Sequence, residues 1–208
     1  MKPLKRKMMK IKFLAFFLLI TFAVSAQNTA HVKSVKKAHK LNLSDFKNSK
    51  KVRWENYTQL IKNDTVFRFS KEDGKIRKEF FKRNENAKKI EMYDDQTFSP
   101  LSESSMFFNF PTGSYRKYDS KGNIIQEINY DKDYRVSLMD IISLAKAKFN
   151  IDITQKISGV GVTRGFDEHF KKNVYTLSLP VNEQSYRFVI IDATSKKILS
   201  DQRGNYIE

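Results

Sequence analysis

From Val52 to Asn129, apolar and polar positions alternate in short runs separated by turn residues. This is the two-residue period of strands. Thr65-Val66-Phe67-Arg68-Phe69 and Lys75-Ile76-Arg77-Lys78-Glu79-Phe80-Phe81 flank Glu72-Asp73-Gly74. An Asp-Gly between two such runs predicts a hairpin, because glycine accepts positive φ without steric cost. A similar unit runs from Tyr115 to Tyr130. The two share Gly-x-Ile-x-x-Glu at Gly74, Ile76, Glu79 and at Gly122, Ile124, Glu127. Two copies are too few for a solenoid and predict two hairpins of one antiparallel sheet. Thr97 to Ser105, with one proline and four serines, predicts a loop. Phe107, Phe108 and Phe110 read as the inward side of a strand, with a binding surface as the alternative.

The period changes at Ser137. Leu138, Ile141, Ile142, Ala145 and Phe149 fall on one helical stripe. Ser137-Leu138-Met139-Asp140 is a capping box with Asp in place of Glu. Lys146 and Lys148 suit the last turns, and Asn150 closes the helix. Val160–Thr163, Val174–Leu179, Tyr186–Ile191 and Lys197–Ser200 then predict strands, with Pro180 ending or edging the second. The expected fold class is α+β, an antiparallel sheet with one long amphipathic helix packed on it.

The N-terminus has a different character. Six basic residues precede an apolar run from Phe13 to Val24, and Val24-Ser25-Ala26 suits signal-peptide cleavage after Ala26. The run is shorter than the ~20 apolar residues that span a bilayer as a helix. The domain reading is therefore a signal peptide over 1–26, a basic arm over 27–53, a β-rich hairpin region over 54–132 and a C-terminal domain over 133–208. Cleavage makes the chain exported, either periplasmic or secreted.

That division changes the meaning of the formal charge of +16. The first 26 residues carry six of the 39 Lys and Arg and none of the 23 acids, which leaves +10. Residues 31–53 account for +7 and residues 54–208 for only +3. A balanced body argues against a nucleic-acid-binding domain. Lys33, Lys36, Lys37, Lys40, Lys50, Lys51 and Arg53 are the candidate surface-binding residues, with Lys47 among them in sequence. Their partner would be an anionic envelope surface, and the alternative is a solvated arm with no partner.

Chemistry is sparse. Cysteine is absent, which excludes disulfides, thiol nucleophiles and thiolate metal sites, and export without cysteines fits a bacterial envelope protein. No nucleophile elbow or phosphate-binding glycine loop is present, and Gly159-Val160-Gly161 reads as a bulge or turn. Asp167-Glu168-His169 reads as a solvated loop, since it lacks the spacing of zinc ligands. Asp94-Asp95 and Asp131-Lys132-Asp133 lack the spacing of a calcium loop. The only tryptophan, Trp54, reads with Tyr57 as a core or rim anchor, against a membrane- or glycan-facing alternative. No catalytic, cofactor or metal site is assigned.

Residues 137–201 resemble a PepSY-like domain. The resemblance lies in the helix Leu138–Phe149, the strand Val174-Tyr175-Thr176-Leu177-Ser178-Leu179, and the closing run from Tyr186 through Asp192-Ala193-Thr194-Ser195-Lys196-Lys197 to Ser200. Lys196 stands where the family has glycine and Ser195 where it has threonine, so a longer or different turn is expected there. Residues 54–132 could be a separate domain or a diverged second repeat, as in the beta-lactamase-inhibitor-like relatives. The resemblance implies no catalytic residues. It implies a non-enzymatic binding or inhibitory module acting on another envelope or secreted protein, with a peptidase as the candidate, through a sheet surface. The alternative is an envelope-associated structural protein held by the basic arm.

Overall fold

The computed structural model describes residues 37–46 and 49–205. The signal-peptide reading, with Lys33, Lys36 and Lys47, lies outside the described residues. Contacts divide the chain into residues 1–37, of which only Lys37 is described, and residues 38–208.

In the second unit, β1 (Lys50–Arg53), β2 (Thr58–Lys62), β3 (Thr65–Glu72), β4 (Lys75–Lys82), β5 (Ala87–Asp94), β6 (Pro100–Phe107), β7 (Phe110–Tyr118) and β8 (Ile124–Asn129) follow one another in space. They form an eight-stranded sheet in sequence order. Every neighbouring pair is antiparallel. Turn chemistry makes this meander. Asp73 and Gly74 both take positive φ, 49° and 70°, and close β3 on β4 with Glu72 opposite Lys75. Asp119 accepts backbone N–H bonds from Lys121 and Asn123, which bends β7 into β8. At the β6–β7 turn Phe108 itself takes φ 50°. That conformation is costly for a bulky side chain, and Phe108 offsets the cost by packing on the main core.

Helix α1 (Leu138–Phe149) follows, then β9 (Gly161–Asp167), β10 (Lys172–Pro180), β11 (Ser185–Asp192) and β12 (Ile198–Asn205), a four-stranded antiparallel sheet. The Ser137–Asp140 capping box is reciprocal, and Asn150 ends the helix at φ 57°. Ile141 and Ala145 of α1 meet Tyr175, Leu177, Val189 and Ile191 in the main core.

The expected α+β class with a long helix is corrected here. Among the described residues strand accounts for 54% and helix for 9%, so that part of the chain is mostly antiparallel sheet. The helix has 12 residues, about 18 Å at ~1.5 Å per residue, enough for one small sheet only. The Thr97–Ser105 loop is also corrected, because β6 begins at Pro100. Proline is tolerated at the first position of a strand, and the serines pair across it. Lys196 occupies the turn expected to be of another kind, at φ 64°. Its ammonium reaches Asp140 at 3.2 Å, while Asp192 accepts the Thr194 N–H at 2.7 Å.

The two sheets share one core. Phe107 and Phe110, flanking the β6–β7 turn, enter the cluster built by α1 and β9–β11. Asn86 adds three bonds, donating its backbone N–H to Thr154 O and its amide to Ile153 O and Gln155 O. Arg164 of β9 completes the join. Its side chain is 4% exposed and lies over the Tyr134 and Phe110 rings. It donates to Asp131, Tyr130 O and Pro111 O. Elsewhere the large sheet carries little cover. Leu41 packs on Ile76 and Tyr93 in a small second cluster. No described helix is long and apolar enough to cross a membrane.

Candidate functional site

The described members of the sequence-predicted basic set do not converge on one pocket, and of them only Lys51 lines a cleft, with Leu41, Leu60 and Ile76. Lys37 and Lys40 are exposed in a segment without regular secondary structure. Lys50, Lys51 and Arg53 are exposed on β1, one edge of the large sheet. Charged side chains on an edge strand oppose pairing with another chain. The other edge, β8, differs in kind. Ile125 to Asn129 are all exposed, with Ile125 at 59% and Ile128 at 39%. β8 carries no Lys, Arg or Pro, and no described strand pairs with its outer side.

The two faces of the large sheet also differ. On one, Lys78, Glu91, Glu103, Arg116 and Glu127 stand opposite one another across β4 to β8. Glu91 and Glu103 are like charges in register, and Lys89 bridges them at 3.2 and 2.7 Å. Burial alone raises both carboxyls. Lys78, Tyr93 and Lys89 together outweigh it at Glu91, and Lys89, Tyr118 and Arg116 together at Glu103, so both end below the ordinary value. The Tyr93 phenol is pushed up, first by burial and then by Glu91.

The opposite face holds an open cleft of about 820 Å³, lined by Trp54, Tyr57, Arg68, Arg77 and Glu79 among others. A smaller cleft of about 290 Å³ adjoins it, sharing Arg68 and Glu79 and adding Lys88, Phe108 and Lys156. The register fixes this arrangement. Arg68 of β3 stands opposite Glu79 of β4, with Phe81 diagonal to it on β4. The Arg68 guanidinium lies 4.6 Å from the Tyr57 ring and 5.6 Å from the Phe81 ring. Trp54 stacks on Tyr57 at 5.8 Å. Glu79 is buried and accepts two bonds from Arg77, at 2.6 and 3.1 Å. Arg68 and Lys88 approach it only to 3.7 Å. Burial raises the Glu79 carboxyl, but the Arg77 bonds and the charges of Lys88, Arg77 and Arg68 overcome this and hold it below the ordinary value.

Trp54 is 56% exposed, so the core-anchor reading does not hold, and it sits at the cleft rim. Charge counting by segment missed the Arg68–Glu79 site. A signal was available, because a two-residue turn at Asp73-Gly74 puts residues 68 and 79 opposite each other.

The other clusters have local roles. Asp167 accepts the backbone N–H groups of His169 and Phe170 in a turn. Among the described residues no group of three or more His, Asp or Glu is placed to hold a metal ion. Comparison of the chain with protein-family models, with curated proteins and with solved structures finds no match in any of the three.

Proposed function

We propose that this chain is an exported, non-enzymatic binding module that takes an extended segment of another envelope or secreted protein along β8. The carrying observation is the contrast between the two edges of the large sheet. β1 is basic throughout its exposed positions, whereas β8 presents Ile125 and Ile128 without Lys, Arg or Pro, and its one charge, Glu127, is paired with Arg116 of β7 at 2.9 Å. Strand addition supplies main-chain hydrogen bonds for affinity and alternate side chains for specificity. The PepSY-like resemblance of residues 137–201 motivates a peptidase as the first partner to assay.

The test is affinity capture on the immobilised full chain, wild type against Ile125→Lys, washed at low and then high salt. A protein held through high salt by the wild type and lost by the variant is the expected result. Equal capture by both rejects strand addition.

The second reading, retention at an anionic envelope surface, is favoured by the exposure of Lys37, Lys40, Lys50, Lys51 and Arg53. Leu41 is buried in the small core cluster, so the deletion that tests this reading covers residues 31–40 and leaves Leu41 in place. Envelope retention falls on that removal if the reading is right and stays unchanged if it is wrong.

A further inference from the structure

The molecule uses one device twice. Arg164 and Arg68 each lie over two aromatic rings. Arg164 is buried and its donors meet one carboxylate and two carbonyls. Arg68 keeps 37% of its side chain exposed and makes no hydrogen bond to a described residue. Its Nε is buried without a hydrogen-bond partner among the described residues, a state that native proteins rarely keep without reason. The nearest acid, Glu79, is committed to Arg77 by two bonds. Around that one carboxylate stand three cations, Arg77, Arg68 and Lys88, a local excess of positive charge.

We propose that Arg68 is a receptor for a carboxylate, presented as a single acidic side chain on an extended peptide segment that lies in the Trp54–Tyr57 cleft. The rings hold the guanidinium plane before the ligand arrives, so its planar fork is ready for a two-pronged bond to a carboxylate. Trp, Tyr and Arg together are the residue types that dominate protein-binding hot spots. A repeating polyanion is disfavoured, because Glu55 and Glu72 also line this cleft and repel successive negative charges. The acceptor is therefore one carboxylate in a neutral segment and not an acidic polysaccharide. The site lies on β3 and β4, apart from β8, and stands independently of strand addition.

Trp54 is the only tryptophan, so its fluorescence reports on this cleft alone. The full chain is titrated with the peptide Val-Thr-Val-Glu-Val-Thr-Val, with its glutamine counterpart, and with polygalacturonate. The expected result is a saturable Trp54 response to the glutamate peptide, at least about tenfold tighter than to the glutamine peptide, or ~1.4 kcal/mol. Arg68→Gln erases that difference, while Ile125→Lys leaves it intact. Circular dichroism checks folding; if Arg68→Gln unfolds, Arg68→Lys replaces it, with loss of discrimination expected because an ammonium lacks the fork. Equal response to both peptides, a preference that survives the Arg68 variant, or a response to polygalacturonate alone each overturns the proposal.

Discussion

Two arginines in similar aromatic settings have opposite consequences for stability. Arg164 joins β9 to Asp131 and to two carbonyls of the large-sheet region. Arg164→Gln should cost about 1–3 kcal/mol, since two carbonyls and the half-exposed Asp131 lose their charged donor. Arg68→Gln should change stability by less than about 1 kcal/mol, because Arg68 makes no hydrogen bond to a described residue and its loss removes a buried Nε that no described group accepts from. Urea midpoints of the two variants check both values, and a larger loss for Arg68→Gln would make it a structural residue. Lys196 is a third case. It holds φ 64° and one part-exposed ion pair with Asp140. Lys196→Gly should raise stability by up to about 1 kcal/mol, because relief of the left-handed backbone exceeds the value of such a pair. An unchanged or lowered midpoint counts against this.

At the scale of elements, the large sheet has little core and is held by cross-strand pairs. The carboxyls of Glu79, Glu91 and Glu103 all lie below their ordinary value. Their contribution is therefore fully present above the unfolded carboxylate range, near pKa ~4.3, and is lost as pH falls through the lower folded values. Urea midpoints taken from pH 6 down to pH 3 should fall once the pH drops below about 4.3. The fall should shrink in the double variant Glu91→Gln, Glu103→Gln, and an equal fall there would place the acid sensitivity elsewhere. The elements differed in how openly their residues declared them. The capping box at Ser137 and the Asp73-Gly74 turn depend on local chemistry, and both are present as read. Ser137→Ala should cost about 1 kcal/mol in the same assay. Strand β6 was hidden because Pro100 and its serines look like a loop until strands on both sides supply partners. The fold class was misjudged because one well-marked helix outweighed strands whose pairing is only established by the assembled sheet. The cleft was half legible. Trp54 and Tyr57 stood out in the sequence, but Lys88 reaches Glu79 only through the β4–β5 pairing.

For the molecule as a whole, the arrangement explains why a large open sheet stays folded. One end of it is anchored in a shared core through Phe107, Phe110, Asn86 and Arg164. That anchoring leaves the basic edge β1, the mixed edge β8 with its exposed Ile125 and Ile128, and the Arg68 cleft at the surface. Of the basic residues singled out from the sequence, Lys50, Lys51 and Arg53 lie on an edge strand, and the binding surfaces we propose are the other edge and the face between. The central claim is that β8 accepts a strand from another protein. It is tested most directly by amide hydrogen exchange on the full chain, with and without the protein retained through high salt. The expected result is protection concentrated in Ile124–Asn129 and absent in Ile125→Lys. Retention of that protein with β8 amides exchanging at their unbound rate would contradict it.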